Sequence, residues 1–434
     1  MYWDKQEETR PRAERTTHQR EMLRQTLKRA AQSPYYGAIL KKIDLETTDP
    51  LALLSDIPFT EKQNLRDYFP YGFLTVPLTE LVRLHSSSGT TGTPTVVFYT
   101  RNDIEQWSDL LARSMYMTGV RPGDVFQNMM GYGLFTGGLG FHYGAEKLGM
   151  LTIPSGPGNS KRQIWFMQTF KTTVIHILPS YALHLMAYFR ELDIKPGVDT
   201  QVKVAFIGAE PHTAETRQKI EDFYQIKAYN SYGLSEICGP GVAFECPAQQ
   251  GMHIWEDHFL VEIIDPHTGA IRSDGEEGEL VITTLQKEGM PLLRYRTRDL
   301  TTLTTEPCSC GRTHARIARI KGRTDDMLII NGVNIFPMQI EKALMGIPEV
   351  GAHYIIEIHK QNFMDKLVVK VELSEQFFSG SLPDLEHLQH QLIEQMRTEL
   401  VVTPIVKLVE PGSLPVSEGK AKRVYDYRNN ELSI

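Results

Sequence analysis

The sequence predicts an α/β protein of two unequal domains, a large layered one followed by a small α+β one. Three observations lead there. From about residue 80 to residue 320, short β-rich runs alternate with helical stretches and glycine-rich turns, the pattern of a sheet covered by helices. After Gly322 the order becomes β-α-β-β-α-β over about 85 residues, a split βαβ arrangement. The composition, 434 residues with 41% apolar and 23% charged and with 33 Gly and 24 Pro scattered without period, belongs to a globular chain of two or three domains. Disorder, collagen and coiled coil are thereby excluded, and no internal repeat or low-complexity tract is found.

In chain order, residues 1–31 carry Met22, Leu23, Leu27 and Ala30 at helical spacing among many Arg, Glu and Gln, which predicts a helix with a solvated face. TVVFYT (95–100), VIHILP (174–179), VKVAFIG (202–208) and ELVITTL (279–285) read as strands of the large domain. WEDHF (255–259), alternating and continuing into LVEII, also reads as a strand. In the small domain MLIING (327–332) is a strand and PMQIEKALMG (337–346) a helix. AHYIIEIH (352–359) and KLVVKVELS (366–374) follow as strands. LEHLQHQLIEQMRTEL (385–400) has strong helical periodicity, and PIVKLVE (404–410) is the last strand. The boundary is expected near residues 322–326, giving domains 1–322 and 323–434.

Forty-six Lys and Arg against 53 Asp and Glu leave a net charge of -7, which offers no general attraction to nucleic acid or to an anionic membrane. No apolar run approaches the roughly 20 residues that span a bilayer, and the first fifteen residues lack the apolar stretch of a secretion signal. A cytoplasmic protein is expected. Four cysteines cannot staple so long a chain. Cys308-Ser309-Cys310 has instead the spacing of half a zinc knuckle, and Cys246 with His253 supplies two further soft ligands. Three thiolates and an imidazole make a closed, structural zinc shell that would pin the 246–253 and 308–310 loops together. Cys238 could stand in for Cys246, and His314, His258 or His267 for His253. Unrelated buried thiols are the plain alternative, and Cys238 is expected to be a buried free thiol.

The most informative stretch is HSSSGTTGTPTVVFYT (85–100). Ser87, Ser88, Thr90, Thr91 and Thr93 are interleaved with Gly89 and Gly92 directly before a β-rich run. Glycines let backbone amides approach an anion, and hydroxyls add donors, so such a loop can wrap phosphate oxygens. It is not a Walker loop, since Gly419-Lys420 is followed by Ala421, and no GxGxxG occurs. The loop is followed in order by GAEP (208–211), NSYGLSE (230–236), RYRTRDL (294–300), GRTDDMLIINGVNIFP (322–337) and PVSEGKAKRV (415–424). Together these resemble the adenylate-forming acyl-CoA ligase superfamily, and within it the phenylacetate-CoA ligase family, to which GYGLFTGGLGFHYGAEKLG (131–149) and HIWEDHFLVEIIDP (253–266) are also similar. The resemblance runs from about Ser33 to Arg428.

It implies a large AMP-binding domain of the acyl-CoA synthetase type and a small mobile domain. The implied activity is an aryl acid, phenylacetate or a related arylacetate, joined to coenzyme A through an acyl-adenylate at the cost of ATP. A transferase of the same family, which would pass AMP to a cofactor hydroxyl without any thioester, is the alternative. By the resemblance the 87–93 loop holds the departing pyrophosphate and Glu236 positions magnesium. Asp299 takes two hydrogen bonds from the ribose hydroxyls. Ala209, Glu210, Pro211, Asn230, Ser231, Tyr232 and Gly233 enclose adenine and the α-phosphate. Lys420 is the catalytic cation, with Lys422 and Arg423 as near rivals, Arg323 reaches ribose or phosphate, and Asp325 is the hinge. Pro415 is followed by three residues before Gly419-Lys420, a short form that fits this family. The physical need is plain, because a carboxylate and a phosphate ~4 Å apart repel by ~4 kcal/mol at an effective dielectric near 20. Tyr132, Phe135 and Phe141 punctuate a glycine-rich segment that could form a flat aromatic slot, which Ile237 and Pro240 would complete. A homodimer is implied by the resemblance alone.

Overall fold

The computed structural model describes residues 1–46, 48–87, 94–361, 364–375, 377, 381–400, 402–415 and 421–428. Among these, twelve strands form one large sheet. Its first half is parallel. Leu151–Ile153, Val125–Asn128, Val174–Ile177, Val204–Gly208 and Lys227–Leu234 lie side by side in that order, and all but the edge strand Leu151–Ile153 are largely buried, as strands covered on both faces are. The helices Thr136–Leu148, Ser160–Thr169, Pro179–Glu191 and Ala214–Tyr224 make the crossovers. From Gly239–Glu245 onward the sheet turns antiparallel through Met252–Ile254, Arg316–Ile317, Tyr295–Thr304, Glu277–Thr284 and Phe259–Ile264.

The helix Arg12–Ala30 is half core, since Leu23, Leu27 and Ala30 are wholly buried. Trp255 to His258 form a turn and the strand begins at Phe259, so the strand expected over WEDHF starts four residues late. Within that turn the Asp257 carboxylate is buried against Arg113, whose two terminal guanidinium nitrogens lie within 3.0 Å.

The remaining chain builds a four-stranded sheet. Val350–Gln361 and Met364–Leu373 pair antiparallel at its centre, Ile405–Val409 adds parallel to the second, and Val424–Asp426 parallel to the first. Leu388, Leu392, Met396 and Leu400, four apart on the helix Leu382–Leu400, form its buried stripe. Ile340 and Leu344 on the helix Pro337–Met345 close the same core. The expected leading strand MLIING does not join this sheet. Asn331 at φ 49° and Gly332 at φ 84° turn the chain tightly, so Leu328–Ile330 folds back on Val333–Ile335 as a separate hairpin. The edge it would have held is taken by Val424–Asp426. Among the described residues no helix is long and apolar enough to cross a membrane.

Candidate functional site

The residues singled out by the motifs gather where the parallel strands end, the place at which open α/β sheets bind ligands. Strands Val204–Gly208 and Lys227–Leu234 run parallel with Gly208 opposite Ser231, which brings Ala209, Glu210 and Pro211 beside Asn230, Ser231, Tyr232 and Gly233. A Cβ on Gly208 would lie 2.5 Å from the Ser231 carbonyl oxygen, so this approach needs glycine. Ala209 follows at φ 63°, a conformation costly for a residue with a side chain, of the kind retained where backbone must be aimed.

Ser87 closes the stem of the phosphate-loop candidate. Its amide donates to the Thr95 carbonyl at 3.0 Å, and its Oγ accepts from the Thr95 amide at 3.0 Å. Ser88, Gly89, Thr90, Thr91, Gly92 and Thr93 lie outside the described residues, as does Lys420. Thr95 Oγ1 donates in turn to Glu236 at 3.2 Å, and Lys62 Nζ stands 3.0 Å from the same carboxylate oxygen. Glu236 is therefore a buried anion at the foot of the loop. Lys62 had no signal in the sequence, since it belongs to no motif and comes from the distant helix Lys62–Asp67.

Asp299 lies on the strand Tyr295–Thr304, directly opposite Arg323 of the short strand Gly322–Arg323. It accepts from Tyr232 Oη at 2.6 Å and from Arg323 at 3.2 Å. Its two arginine neighbours in sequence are engaged elsewhere, Arg296 with Glu279 and Arg298 with Glu61. Burial and the Asp299 charge keep the Tyr232 hydroxyl protonated far above the ordinary phenol range, so it remains a donor. Arg323 also forms a two-point pair with exposed Asp325 at 2.8 and 2.9 Å. Burial opposes its charge, but those hydrogen bonds and Asp299 raise its pKa above the usual guanidinium value.

The C-terminal segment reaches this cluster. The Ala421 amide, next after Lys420, donates to Glu210 at 2.7 Å, and Ser180 Oγ steadies the same carboxylate at 2.9 Å. Lys422 and Arg423 are turned onto Tyr425 and Tyr354, with ring distances of 4.8 and 4.1 Å.

The aromatic segment is divided by the helix Thr136–Leu148. Tyr132 is half-buried beside its first turn, its Oη accepting from Asn128 Nδ2 at 3.0 Å and lying 3.3 Å from His142 Nδ1, with burial pushing its pKa up to about 12. Phe135 is exposed, and Pro240 packs on the same helix where Gly140 leaves room for Trp107. Phe141 is wholly buried, stacked 3.7 Å from the ring centre of His176, whose Nδ1 lies 3.1 Å from the Asn128 that also bonds Tyr132, and Ile237 is wholly buried as well.

The four ligands expected for zinc converge. Cys246, His253, Cys308 and Cys310 place one ligand atom each within 4.8 Å of all the others. The Cys246 and Cys308 sulfurs are 3.7 Å apart, too far for a disulfide and close to the ~3.8 Å edge of a tetrahedron with ~2.3 Å zinc–sulfur bonds. Cys310 Sγ is 3.3 Å from His253 Nε2, and His253 Nδ1 faces the His314 carbonyl at 3.3 Å, the outer contact that fixes a ligating tautomer. Hydrogen bonding from Cys246, with His253 adding to it, holds the Cys310 thiol far below its ordinary value. The donor set fits zinc. Cys238 lies apart as a buried free thiol, its pKa pushed up to about 12 by burial, and His258, His267 and His314 are not in the cluster.

Fold and site together define an adenylate-forming, AMP-binding enzyme. The family model for AMP-binding enzymes matches residues 46–286, and that for the AMP-binding enzyme C-terminal domain matches residues 332–428. The chain is 45% identical to the phenylacetate-coenzyme A ligase of Thermus thermophilus over 99% of its own length and 100% of that protein. It superposes on 2-hydroxyisobutyryl-CoA ligase in the postadenylation state with 2-HIB-AMP at a TM-score of 0.92, with 30% identity, covering 99% of this chain and 93% of that one. On the same ligase in the thioesterification state, with 2-HIB-AMP and CoA, the TM-score is 0.72 at 31% identity and the same coverage. The chain belongs to the phenylacetate-coenzyme A ligase family.

Proposed function

We propose that this protein activates an aryl acid, phenylacetate or a close relative, in two steps at one site. The acid's carboxylate oxygen attacks the α-phosphorus of ATP, and pyrophosphate leaves with the pair of electrons of the broken P–O bond. The thiol of coenzyme A then attacks the acyl carbonyl, AMP departs with the carboxylate's former oxygen, and the thiol proton passes to solvent. The observation that carries this reading is the Ala421–Glu210 hydrogen bond, which holds the segment after Lys420 against GAEP. From there Lys420 can place its ammonium beside the reacting oxygens and stabilise the charge that develops.

Around it, Asp299 would hold the ribose hydroxyls and Arg323 would reach ribose or phosphate. Ala209 to Pro211 and Asn230 to Gly233 would enclose the adenine. The 87–93 loop would hold the pyrophosphate, and Lys62 adds a second cation at its foot. Glu236 with the Thr95 hydroxyl fits magnesium, a hard ion that takes one or two protein oxygens and the substrate phosphates. When bound, that ion neutralises phosphate charge. Tyr132, Phe135 and Pro240, backed by Phe141 and Ile237, would form the aryl slot. The higher similarity to the postadenylation state supports a small domain, 323–434, that turns against 1–322 about Asp325 once the adenylate has formed. Zinc at Cys246, His253, Cys308 and Cys310 would be structural, because four protein ligands leave no open position. A cytoplasmic setting, where ATP and coenzyme A are available, and a homodimer complete the reading. Light scattering of the purified protein measures the latter.

Two results test this. Incubated with ATP, magnesium and a panel of aryl acids, the protein should release AMP only when coenzyme A is present, and AMP retained in the product would support the transferase alternative instead. Asp299→Asn should raise the KM for ATP about tenfold or more, the value of a hydrogen bond to a charged group, with little change in the KM for the acid.

A further inference from the structure

Where the small domain meets the large one, a carboxylate is buried. Glu341 on the helix Pro337–Met345 is only 5% exposed, and among the described residues no lysine or arginine salt-bridges it, although the buried Arg423 guanidinium over Tyr354 is near enough to feel its charge. Its Oε1 accepts from Thr216 Oγ1 at 2.8 Å and from the Thr213 amide at 3.3 Å, and its Oε2 accepts from Tyr354 Oη at 2.8 Å. Tyr354 belongs to the small domain. Thr213 and Thr216 belong to the large one, at the start of the helix Ala214–Tyr224, where unpaired amides and the helix dipole favour an anion. Thr213 also caps that helix by accepting from the Thr216 amide. The carboxylate thus rests on a preformed anion seat three residues from Glu210, which from the other side holds the Ala421 amide. Lys219 of the same helix donates to the Val350 carbonyl at 2.9 Å and extends the seam.

We propose that Glu341 is a positioning residue for the first half-reaction: its seat on Thr213 and Thr216 holds the small domain in the arrangement that delivers Lys420. This rests on the two-step ligase reading. A residue biases an equilibrium between two arrangements only by contacts made in one and lost in the other. The Thr216 and Thr213 bonds cross between the domains, and so are broken by any rotation that separates the helix Pro337–Met345 from the helix Ala214–Tyr224. The Tyr354 bond does not, since both partners travel together.

The test separates the two half-reactions in Glu341→Gln and in Thr216→Val, the second keeping side-chain shape and leaving the small domain untouched. Acid-dependent exchange of pyrophosphate into ATP, measured with phenylacetate, should fall about tenfold, the effect of losing one hydrogen bond to a charged acceptor. Conversion of supplied phenylacetyl-adenylate and coenzyme A to thioester should be unchanged or faster. Equal loss in both half-reactions, or undiminished exchange, would overturn the proposal. Absence of exchange in the unsubstituted protein would overturn the ligase reading itself, and the inference with it, before any variant is made.

Discussion

Lys420→Ala is expected to lower acid-dependent pyrophosphate release by a hundredfold or more while leaving the fold and nucleotide affinity largely intact. That size follows from the chemistry. Two anions must meet, and removing one preorganised group that stabilises transition-state charge costs about 10²–10³-fold in comparable sites. On this reading ground-state binding would draw on Asp299, Arg323 and the strand ends, which the substitution does not touch. The neighbouring cations cannot take over. Lys422 lies over Tyr425 and Arg423 over Tyr354, so Lys422→Ala should retain most of the activity. Rates of pyrophosphate release for the two alanine variants, side by side, decide the matter, and unchanged turnover in Lys420→Ala would remove Lys420 from its role.

Loss of the metal ligands should produce the largest change in stability. Structural zinc in small peptides is worth about 10–16 kcal/mol. Here the ligand segments are also held by strand pairing, Arg316 opposite His253 and Ile317 opposite Met252, so part of that order survives without the ion. A loss of about 5 kcal/mol would lower Tm by about 10–20 °C at ~2–4 °C per kcal/mol for a domain of this size. Cys308→Ser with Cys310→Ser should show it, together with about one zinc per chain by elemental analysis before substitution and none after. On this reading the segment at risk would be functional as well as structural. The 308–317 stretch connects the strand bearing Asp299 to the strand bearing Arg323, so the nucleotide KM should rise with the fall in Tm. Metal-free protein of normal Tm would overturn the assignment.

The chemistry of this site was more legible than its assembly. The clustering of Cys246, His253, Cys308 and Cys310 could be read because a pair two apart and a second pair seven apart are local patterns that residue type alone makes meaningful. The nucleotide motifs were legible for the same reason, and Gly208 explains its own presence once Ser231 stands against it. What stayed hidden depends on partners far apart in the chain. Thr216 and Glu341 are 125 residues apart, and neither is remarkable by itself. Lys62 and Glu236 lie 174 residues apart and meet only in the folded chain. Asn331-Gly332 was a hairpin signal masked by the apolar run before it, which read as a sheet strand. That Phe141 is wholly buried against His176 could not be read from its glycine-rich surroundings, because His176 lies 35 residues further along the chain.

The central claim is that the acid's own oxygen becomes bonded to the α-phosphorus before the thiol arrives. It is tested most directly by supplying phenylacetate labelled with ¹⁸O in its carboxylate, together with ATP, magnesium and coenzyme A, and weighing the AMP released. An acyl-adenylate path requires AMP carrying one labelled oxygen, with none in pyrophosphate. Unlabelled AMP, or label in inorganic phosphate, would contradict it.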